Sequence, residues 1–223
     1  MKPASAIGLF GGTFDPIHFA HLRLAEEVAD GFGLDQVNFI PAAVPPHRNE
    51  PGASSADRLA MTRLAVQGNS RFVVDSRELG RAGPSYTIDT LSEIRSASGN
   101  QPLCLLLGAD AFVALMTWHR WNELFDLAHI VVARRPGFPL EHLASSLPDA
   151  LRVQYLRRYA TDPATMKATP AGSIFAHELT ALDVSATELR ALIKCNASLR
   201  YLLPDAVIAY IEEHKLYKEQ DAS

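Results

Sequence analysis

The chain has 223 residues, enough for one large domain with a substantial buried core. Its formal net charge of −4 excludes the basic surface that duplex nucleic-acid binding requires, and no apolar stretch approaches the length of a membrane span. The two cysteines, Cys104 and Cys195, lie too far apart in sequence to indicate a disulfide framework or a cysteine-based zinc site. We therefore expect one domain over residues 1–223, located in the cytoplasm.

Short apolar strands alternate with amphipathic helices along most of the chain. Strands are predicted over residues 6–10, 37–41, 72–75, 103–107 and 130–133. Helices are predicted over residues 18–30, 57–66, 87–96, 111–118 and 121–127. Further on, the pattern indicates a weaker helical region (140–159), a polar loop (161–173), a short strand within 174–182, and two terminal helices (187–194 and 205–214).

This alternation of continuous apolar strands with helices predicts a parallel sheet covered on both faces. The expected fold class is α/β, a Rossmann-like doubly wound parallel sheet with a C-terminal helical segment. Ligands of such sheets bind beyond the carboxyl ends of the strands, and the glycine and proline clusters of this chain follow strands.

The first of these clusters carries the strongest signal. Gly11 and Gly12 end the first strand, and His18 and His21 open the helix that follows. Freed backbone N–H groups, a helix N-terminus and two imidazoles on one helix face make a site for an anion such as phosphate. The simpler interpretation, two surface histidines, is weakened by the glycine turn, and no HExxH motif supports a zinc site.

A second signal lies near the other end of the chain, in the segment Val-Ser-Ala-Thr-Glu-Leu-Arg over residues 184–190. Ser185 and Glu188 have the spacing of a capping box, which is an ordinary helix start. The helix N-terminus and Arg190 would also suit the phosphates of a nucleotide.

These two segments carry a family resemblance. Residues 11–21, GGTFDPIHFAH, resemble the GGxFDPxHxGH signature of the nucleotidyltransferase superfamily, with Ala20 in place of the usual glycine. Residues 184–190 resemble its (I/V)SxTxxR motif. The resemblance implies that His18, His21 and Arg190 act on the reacting phosphates. It implies that the residues binding ATP are Gly11, Gly12, Thr13, Phe14, Arg134, Ser185 and Thr187, and that Mg²⁺ arrives with ATP rather than on protein ligands.

Other segments resemble bacterial nicotinate mononucleotide adenylyltransferases in particular. Trp118 aligns with the tryptophan that stacks on the pyridine ring, and the segment at Tyr86 and Thr87 aligns with the one that meets the nicotinate carboxylate. The residues implied in binding the mononucleotide are His47, Arg48, Tyr86, Thr87, Gly108, Asp110, Trp118 and His119. The implied partners are ATP and nicotinate mononucleotide, joined into deamido-NAD with release of pyrophosphate.

Several alternatives stay open at this point. A nicotinamide mononucleotide adenylyltransferase and a non-catalytic nucleotide sensor fit the same motifs. A pantetheine-phosphate enzyme is disfavoured by the Trp118 segment, and a dinucleotide-dependent oxidoreductase by the absence of GxGxxG. A class I aminoacyl-tRNA synthetase is disfavoured by chain length and charge. The closing segment 203–217 is expected to be structural.

Overall fold

One parallel sheet of six strands, in the order β3-β2-β1-β4-β5-β6, forms the centre of the molecule. The computed structural model describes residues 5–44, 50–81, 83–134, 140–180 and 182–218. The strands are β1 (Ile7–Gly12), β2 (Gln36–Pro41), β3 (Phe72–Val74), β4 (Leu103–Gly108), β5 (His129–Arg134) and β6 (Ile174–Glu178). The α-helices are α1 (Phe19–Phe32), α2 (Ser55–Val66), α3 (Thr87–Ser98), α4 (Ala109–Val113), α5 (Leu124–Leu127), α6 (Leu140–Ser146), α7 (Asp149–Arg158), α8 (Ala186–Lys194) and α9 (Asp205–Glu213).

The apolar side chains form one core on each face of this sheet. One core joins the strands to α1, α2, α8 and α9, and the other joins them to α3, α4, α5, α6 and α7. Helices on both faces confirm the predicted doubly wound architecture. The chain order reverses between β1 and β4, so the crevice at the carboxyl ends of these strands is where a ligand is expected.

The predicted elements all have counterparts, and most bounds agree to within two residues, but four regions differ from the prediction. The helix predicted over 111–118 begins earlier, at Ala109, because Gly108 is extended and caps α4 directly; a 3-10 turn (Leu115–Thr117) follows it. Region 121–127 is a 3-10 turn (Trp121–Glu123) followed by α5. Pro148 separates α6 from α7 within 140–159, and the predicted loop 161–173 contains a 3-10 turn (Pro163–Ala168).

At the amino-terminal edge of the sheet, the side chains of His129 and Arg95 make hydrogen bonds to backbone groups. His129 is completely buried; its Nε2 donates to the Thr169 carbonyl at 2.8 Å, and its Nδ1 accepts from the Ser173 N–H at 3.1 Å. Burial lowers the pKa of this imidazole, which is held neutral. Arg95 donates to carbonyls of four residues at the same edge, Gly99, Gln101, Leu127 and Pro170. Loops on this side are therefore fixed far from the carboxyl-end crevice.

Candidate active site

The two glycines in the turn between β1 and α1 have different surroundings. A Cβ on Gly12 would lie 2.7 Å from the ring of Phe14, whereas a Cβ on Gly11 would meet no atom within 4 Å. Phe14 takes a left-handed backbone (φ 48°), and its buried ring packs edge-on against Phe10 and His21. Gly12 thus makes room for Phe14, while Gly11 leaves open space at the crevice. Any contribution of Phe14 to ATP binding would fall to its backbone.

His18 and His21 lie together at the start of α1. Their rings stack with centroids 3.7 Å apart, and His18 is the N-cap residue, with 5% of its surface exposed. The backbone N–H of His18 donates to Nδ1 of His21 at 3.3 Å. A neutral His21 with Nδ1 as acceptor carries its proton on Nε2, which makes Nε2 a hydrogen-bond donor. Ala20 lies within helical backbone, which accepts a methyl group without strain.

The carboxylate of Asp15 is the centre of a hydrogen-bond cluster behind this turn. It is 6% exposed and accepts from the N–H groups of Gly52 at 2.8 Å and Ala53 at 3.1 Å, and from the Tyr217 hydroxyl at 2.8 Å. Burial first, and then the Asp15 charge, raise the pKa of the Tyr217 phenol, so Tyr217 stays a donor. Asp15 therefore joins the turn to residues 52–53 and to the end of the described chain.

A buried arginine holds the same turn from α2. Arg58 is 1% exposed and donates to carbonyl oxygens of Thr13 at 2.8 Å, Ala42 at 2.7 Å and Ala43 at 3.1 Å. Burial lowers its pKa, although the nearby Asp15 charge opposes that effect. Because a guanidinium has five donors in a rigid fork, one side chain can fix the loops after both β1 and β2.

Helix α8 brings Arg190 to the turn that carries the histidines. Its Nη1 donates to the Asp15 carbonyl at 2.7 Å and lies 3.5 Å from Asp15 Oδ2. Among the described residues, its Nε and Nη2 have no hydrogen-bond partner, and about a third of the side chain is exposed, at 32%. Asp15 is three positions before His18, so the cation from the late motif lies on the same side of the sheet as the imidazoles.

The other two residues of the late motif behave differently from each other. The Ser185 hydroxyl donates to Glu188 Oε2 at 2.8 Å and accepts from the Glu188 N–H at 3.2 Å, which completes a capping box. Thr187 is exposed in the first turn of α8. The Ser185 hydroxyl is therefore occupied by the capping box, whereas the exposed Thr187 is accessible to a ligand.

Residues at the ends of the two neighbouring strands occupy the same edge of the sheet. A Cβ on Gly108 would meet nothing within 4 Å, so the end of β4 is as open as Gly11 on β1. Asp110 is exposed in the first turn of α4, whose N-cap is Gly108. Arg134 ends β5 and pairs with Glu178 at 2.7 Å, so an ATP phosphate would have to share this arginine with a carboxylate.

Four of the residues predicted to bind the mononucleotide lie at or beside the start of α3: Tyr86, Thr87, Trp118 and His119. The rings of Tyr86 and His119 are 4.6 Å apart, and Trp118 is half-buried against the core on this face. Thr87 is the first residue of α3, whose N-cap, Tyr86, makes no side-chain capping bond. His47 and Arg48 lie outside the described residues. Ser85 bonds residues 43 and 44, which lead to that segment, with its Oγ accepting from the Ala43 N–H at 3.0 Å.

Sequence reasoning assigned no role to three groups that the structure places behind the site: Asp15, Arg58 and Tyr217. Asp15 was inside the quoted motif, and Tyr217 was treated as structural. Arg58 had one detectable signal, since it shares a helix face with Met61 and Thr62, both buried. A charged residue on the inner face of a helix is expected to pair with buried polar groups.

Comparison with known proteins identifies the family. The model of the family described as cytidylyltransferase-like matches residues 9–192. A probable nicotinate-nucleotide adenylyltransferase from Dechloromonas aromatica is 50% identical over 95% of this chain and 97% of its own length. Another from Pseudomonas putida is 51% identical over 95% of this chain and 94% of its own length. The chain belongs to the nicotinate-nucleotide adenylyltransferase family of nucleotidyltransferases.

A solved structure of this family supports the fold. The Plasmodium falciparum nicotinic acid mononucleotide adenylyltransferase complexed with NaAD superposes with a TM-score of 0.71 over 96% of this chain and 97% of its own, at 16% identity. In the described part of this adenylyltransferase-family chain, no cluster of three or more His, Cys, Asp or Glu side chains could hold a metal ion. None of its described helices has the length and apolar run that crossing a bilayer requires.

Proposed function

We propose that this protein transfers the adenylyl group of ATP to nicotinate mononucleotide, giving deamido-NAD and pyrophosphate. The observation that carries the proposal is the meeting of Arg190, from the late motif, with the turn that presents His18 and His21. The proposal is further supported by the near-complete coverage of adenylyltransferase relatives. A cytoplasmic location, where ATP and pyridine mononucleotides are available, is part of the same proposal.

The reaction needs no nucleophile from the protein. A phosphate oxygen of the mononucleotide is already anionic at neutral pH; it attacks the α-phosphorus of ATP, and the bond to pyrophosphate breaks. The tasks left to the chain are positioning and stabilisation of charge. We assign Nε2–H of His21, and His18 beside it, to the α-phosphate and leaving group. The free Nε and Nη2 of Arg190 and the start of α8 at Thr187 are assigned to the outer phosphates.

The other ATP contacts follow from the open space in the crevice. Gly11, together with the backbone of Gly12 and Thr13, would let the nucleotide approach β1 closely. Gly108 and Asp110, which the resemblance implies in binding the mononucleotide, lie at the end of the neighbouring strand, where a ribose hydroxyl could meet the Asp110 carboxylate. In this proposal Ser185 acts by fixing the start of α8, because its hydroxyl is bonded to Glu188.

Mg²⁺ fits this site as a companion of ATP. Both oxygens of the buried Asp15 carboxylate are occupied by N–H and O–H donors, and the groups assigned to the phosphates are imidazoles, a guanidinium and a helix start. The ion would therefore be held by phosphate oxygens and water, and would neutralise charge on the triphosphate.

Selection of the pyridine substrate is assigned to the surroundings of α3. Tyr86, His119 and Trp118 offer aromatic surfaces for the ring. The uncapped start of α3 at Thr87 offers N–H groups and the positive end of a helix dipole, which favours the carboxylate of nicotinate over the neutral amide of nicotinamide.

A pyrophosphate-release assay tests this proposal directly. Purified protein with ATP and Mg²⁺ should release pyrophosphate with nicotinate mononucleotide, more slowly with nicotinamide mononucleotide, and not at all when Mg²⁺ is chelated. His21→Ala, prepared in parallel, should lose about 10²–10³ in kcat with an unchanged circular-dichroism spectrum, because one preorganised donor is removed. If no pyrophosphate is released with either mononucleotide, a non-catalytic nucleotide sensor is favoured instead.

A further inference from the structure

The closing segment of the chain contacts Asp15, behind the proposed ATP site, through one hydroxyl. Tyr217 lies after α9, is 9% exposed, and donates to Oδ1 of Asp15 at 2.8 Å across 202 positions of sequence. Its ring lies against Gly52, where a Cβ would be 3.0 Å from Tyr217 Cδ1 and 3.4 Å from Arg190 Cδ. The absence of a side chain at Gly52 therefore lets the phenol and the guanidinium both reach Asp15.

The donors around Asp15 are unequal. Two backbone amides and the phenol bond its carboxylate at normal hydrogen-bond distances, whereas Nη1 of Arg190 is 3.5 Å from Oδ2 and bonds the Asp15 carbonyl instead. A guanidinium in direct charge-assisted contact with a carboxylate would lie at about 2.7–2.9 Å. Arg190 is thus held beside Asp15 without being fully paired by it.

This arrangement matters because Asp15 and a triphosphate would compete for the same cation. A carboxylate already bonded by three neutral donors has less remaining negative charge to attract Arg190. A carboxylate with one donor removed would turn toward the guanidinium, and ATP would then have to break a tighter ion pair before binding.

We propose that Tyr217 is a positioning residue for ATP: its hydroxyl holds the Asp15 carboxylate back from Arg190 and so keeps the guanidinium available to the triphosphate. This inference rests on the proposed function, in which Arg190 binds ATP. Burial keeps the phenol protonated, so Tyr217 remains a donor throughout the working pH range.

The test removes only the hydroxyl. Tyr217→Phe keeps the ring on Gly52, and we expect the KM for ATP and the ATP dissociation constant from calorimetry to rise about tenfold. The KM for the mononucleotide should change less than twofold. The matched control is Tyr210→Phe, which removes another phenol–carboxylate bond of the same segment, from Tyr210 to Asp57 at 3.0 Å, without touching Asp15. This control should leave both KM values within twofold of wild type.

Three results would overturn the inference: an unchanged affinity for ATP in folded Tyr217→Phe, an equal rise in both KM values, or the same selective rise in Tyr210→Phe. If Tyr217→Phe does not fold, Gly52→Ala takes its place, since the new methyl group would displace the ring while every donor remains. The same loss of ATP affinity is then expected, and an unchanged affinity again rejects the inference. Wild-type protein that neither binds ATP nor releases pyrophosphate would reject the proposed function instead.

Discussion

At the scale of single residues, the turn after β1 shows that neighbouring, identical residues in a motif can have unrelated tasks. Gly12 is needed by the protein, because the Phe14 ring occupies the space that a side chain would take. At Gly11 a Cβ would meet no described atom within 4 Å, so packing does not require a glycine there. The space beside Gly11 faces the crevice. If ATP binds there, an alanine at position 12 should lower stability, whereas an alanine at position 11 should lower the affinity for ATP.

Gly11→Ala and Gly12→Ala form a matched pair for this idea. We expect Gly12→Ala to lower the free energy of unfolding by about 1–3 kcal/mol, because a Cβ at 2.7 Å from the Phe14 ring forces core atoms to shift. Gly11→Ala should leave the urea midpoint unchanged and weaken ATP binding at least tenfold. Urea unfolding and calorimetric titration with ATP measure both quantities. A Gly11→Ala protein with wild-type ATP affinity would remove this residue from the ATP site.

At the scale of elements, the helix starts at the carboxyl edge of the sheet differ in their caps. His18 caps α1, Ser185 and Glu188 cap α8, and α3 begins at Tyr86 without a side-chain cap. A cap made by the protein satisfies N–H groups that an anion would otherwise use. The uncapped start of α3, beside the aromatic residues at 118 and 119, is therefore the element best suited to a carboxylate-bearing ring.

The two tryptophans on this face are predicted to have different roles, Trp118 in substrate binding and Trp121 in packing. Trp118→Ala should raise the KM for nicotinate mononucleotide about tenfold and the KM for ATP less than twofold, because the ring platform is lost while the phosphate residues remain. Trp121→Ala is the control, since the partly buried Trp121 packs edge-on against the buried Phe125, with ring centroids 6.2 Å apart. This control should lower the melting temperature without changing the ratio of the two KM values. Equal rises in both KM values for Trp118→Ala would assign it to packing as well.

The sequence allowed most elements to be predicted, because their apolar runs and caps are local properties. The continuous run in β4 predicted a central strand, and the Ser185–Glu188 spacing predicted the start of α8. The cluster around Asp15 could not be predicted, because its members are drawn from positions 15, 52, 58, 190 and 217, and nothing local marks them as neighbours. The roles of the individual site residues, and one domain over 1–223, stay predictions.

At the scale of the whole molecule, stability is expected to depend on pH through two histidines, the completely buried His129 and the partly buried His177. Burial lowers the pKa of His129 and of His177 in the folded protein below the ordinary value. The unfolded chain therefore binds more protons than the folded chain as the pH falls below about 6.5, and folding stability decreases in that range. Above this range both histidines are neutral in both states and contribute no slope.

Urea unfolding at several pH values between about 7.5 and about 5 checks this expectation. His129→Gln should be less stable than wild type at neutral pH, since one or both bonds to residues 169 and 173 are weakened, yet its stability should fall less steeply on acidification. His214→Gln, at an exposed position, should keep the wild-type slope. A His129→Gln slope equal to wild type would show that other groups set the acid sensitivity.

The bond between Asp15 and Tyr217 also has a consequence for synthesis of the protein. A chain still being translated presents its glycine turn and both histidines early, but Arg190 and Tyr217 leave the ribosome long afterwards. In the proposed function, a nascent chain therefore lacks the Arg190 guanidinium and the Tyr217 hydroxyl, and the complete ATP site forms only after residue 217 has been added. Under the same proposal, an affinity tag joined close behind Tyr217 is expected to disturb its bond to Asp15 and to weaken ATP binding.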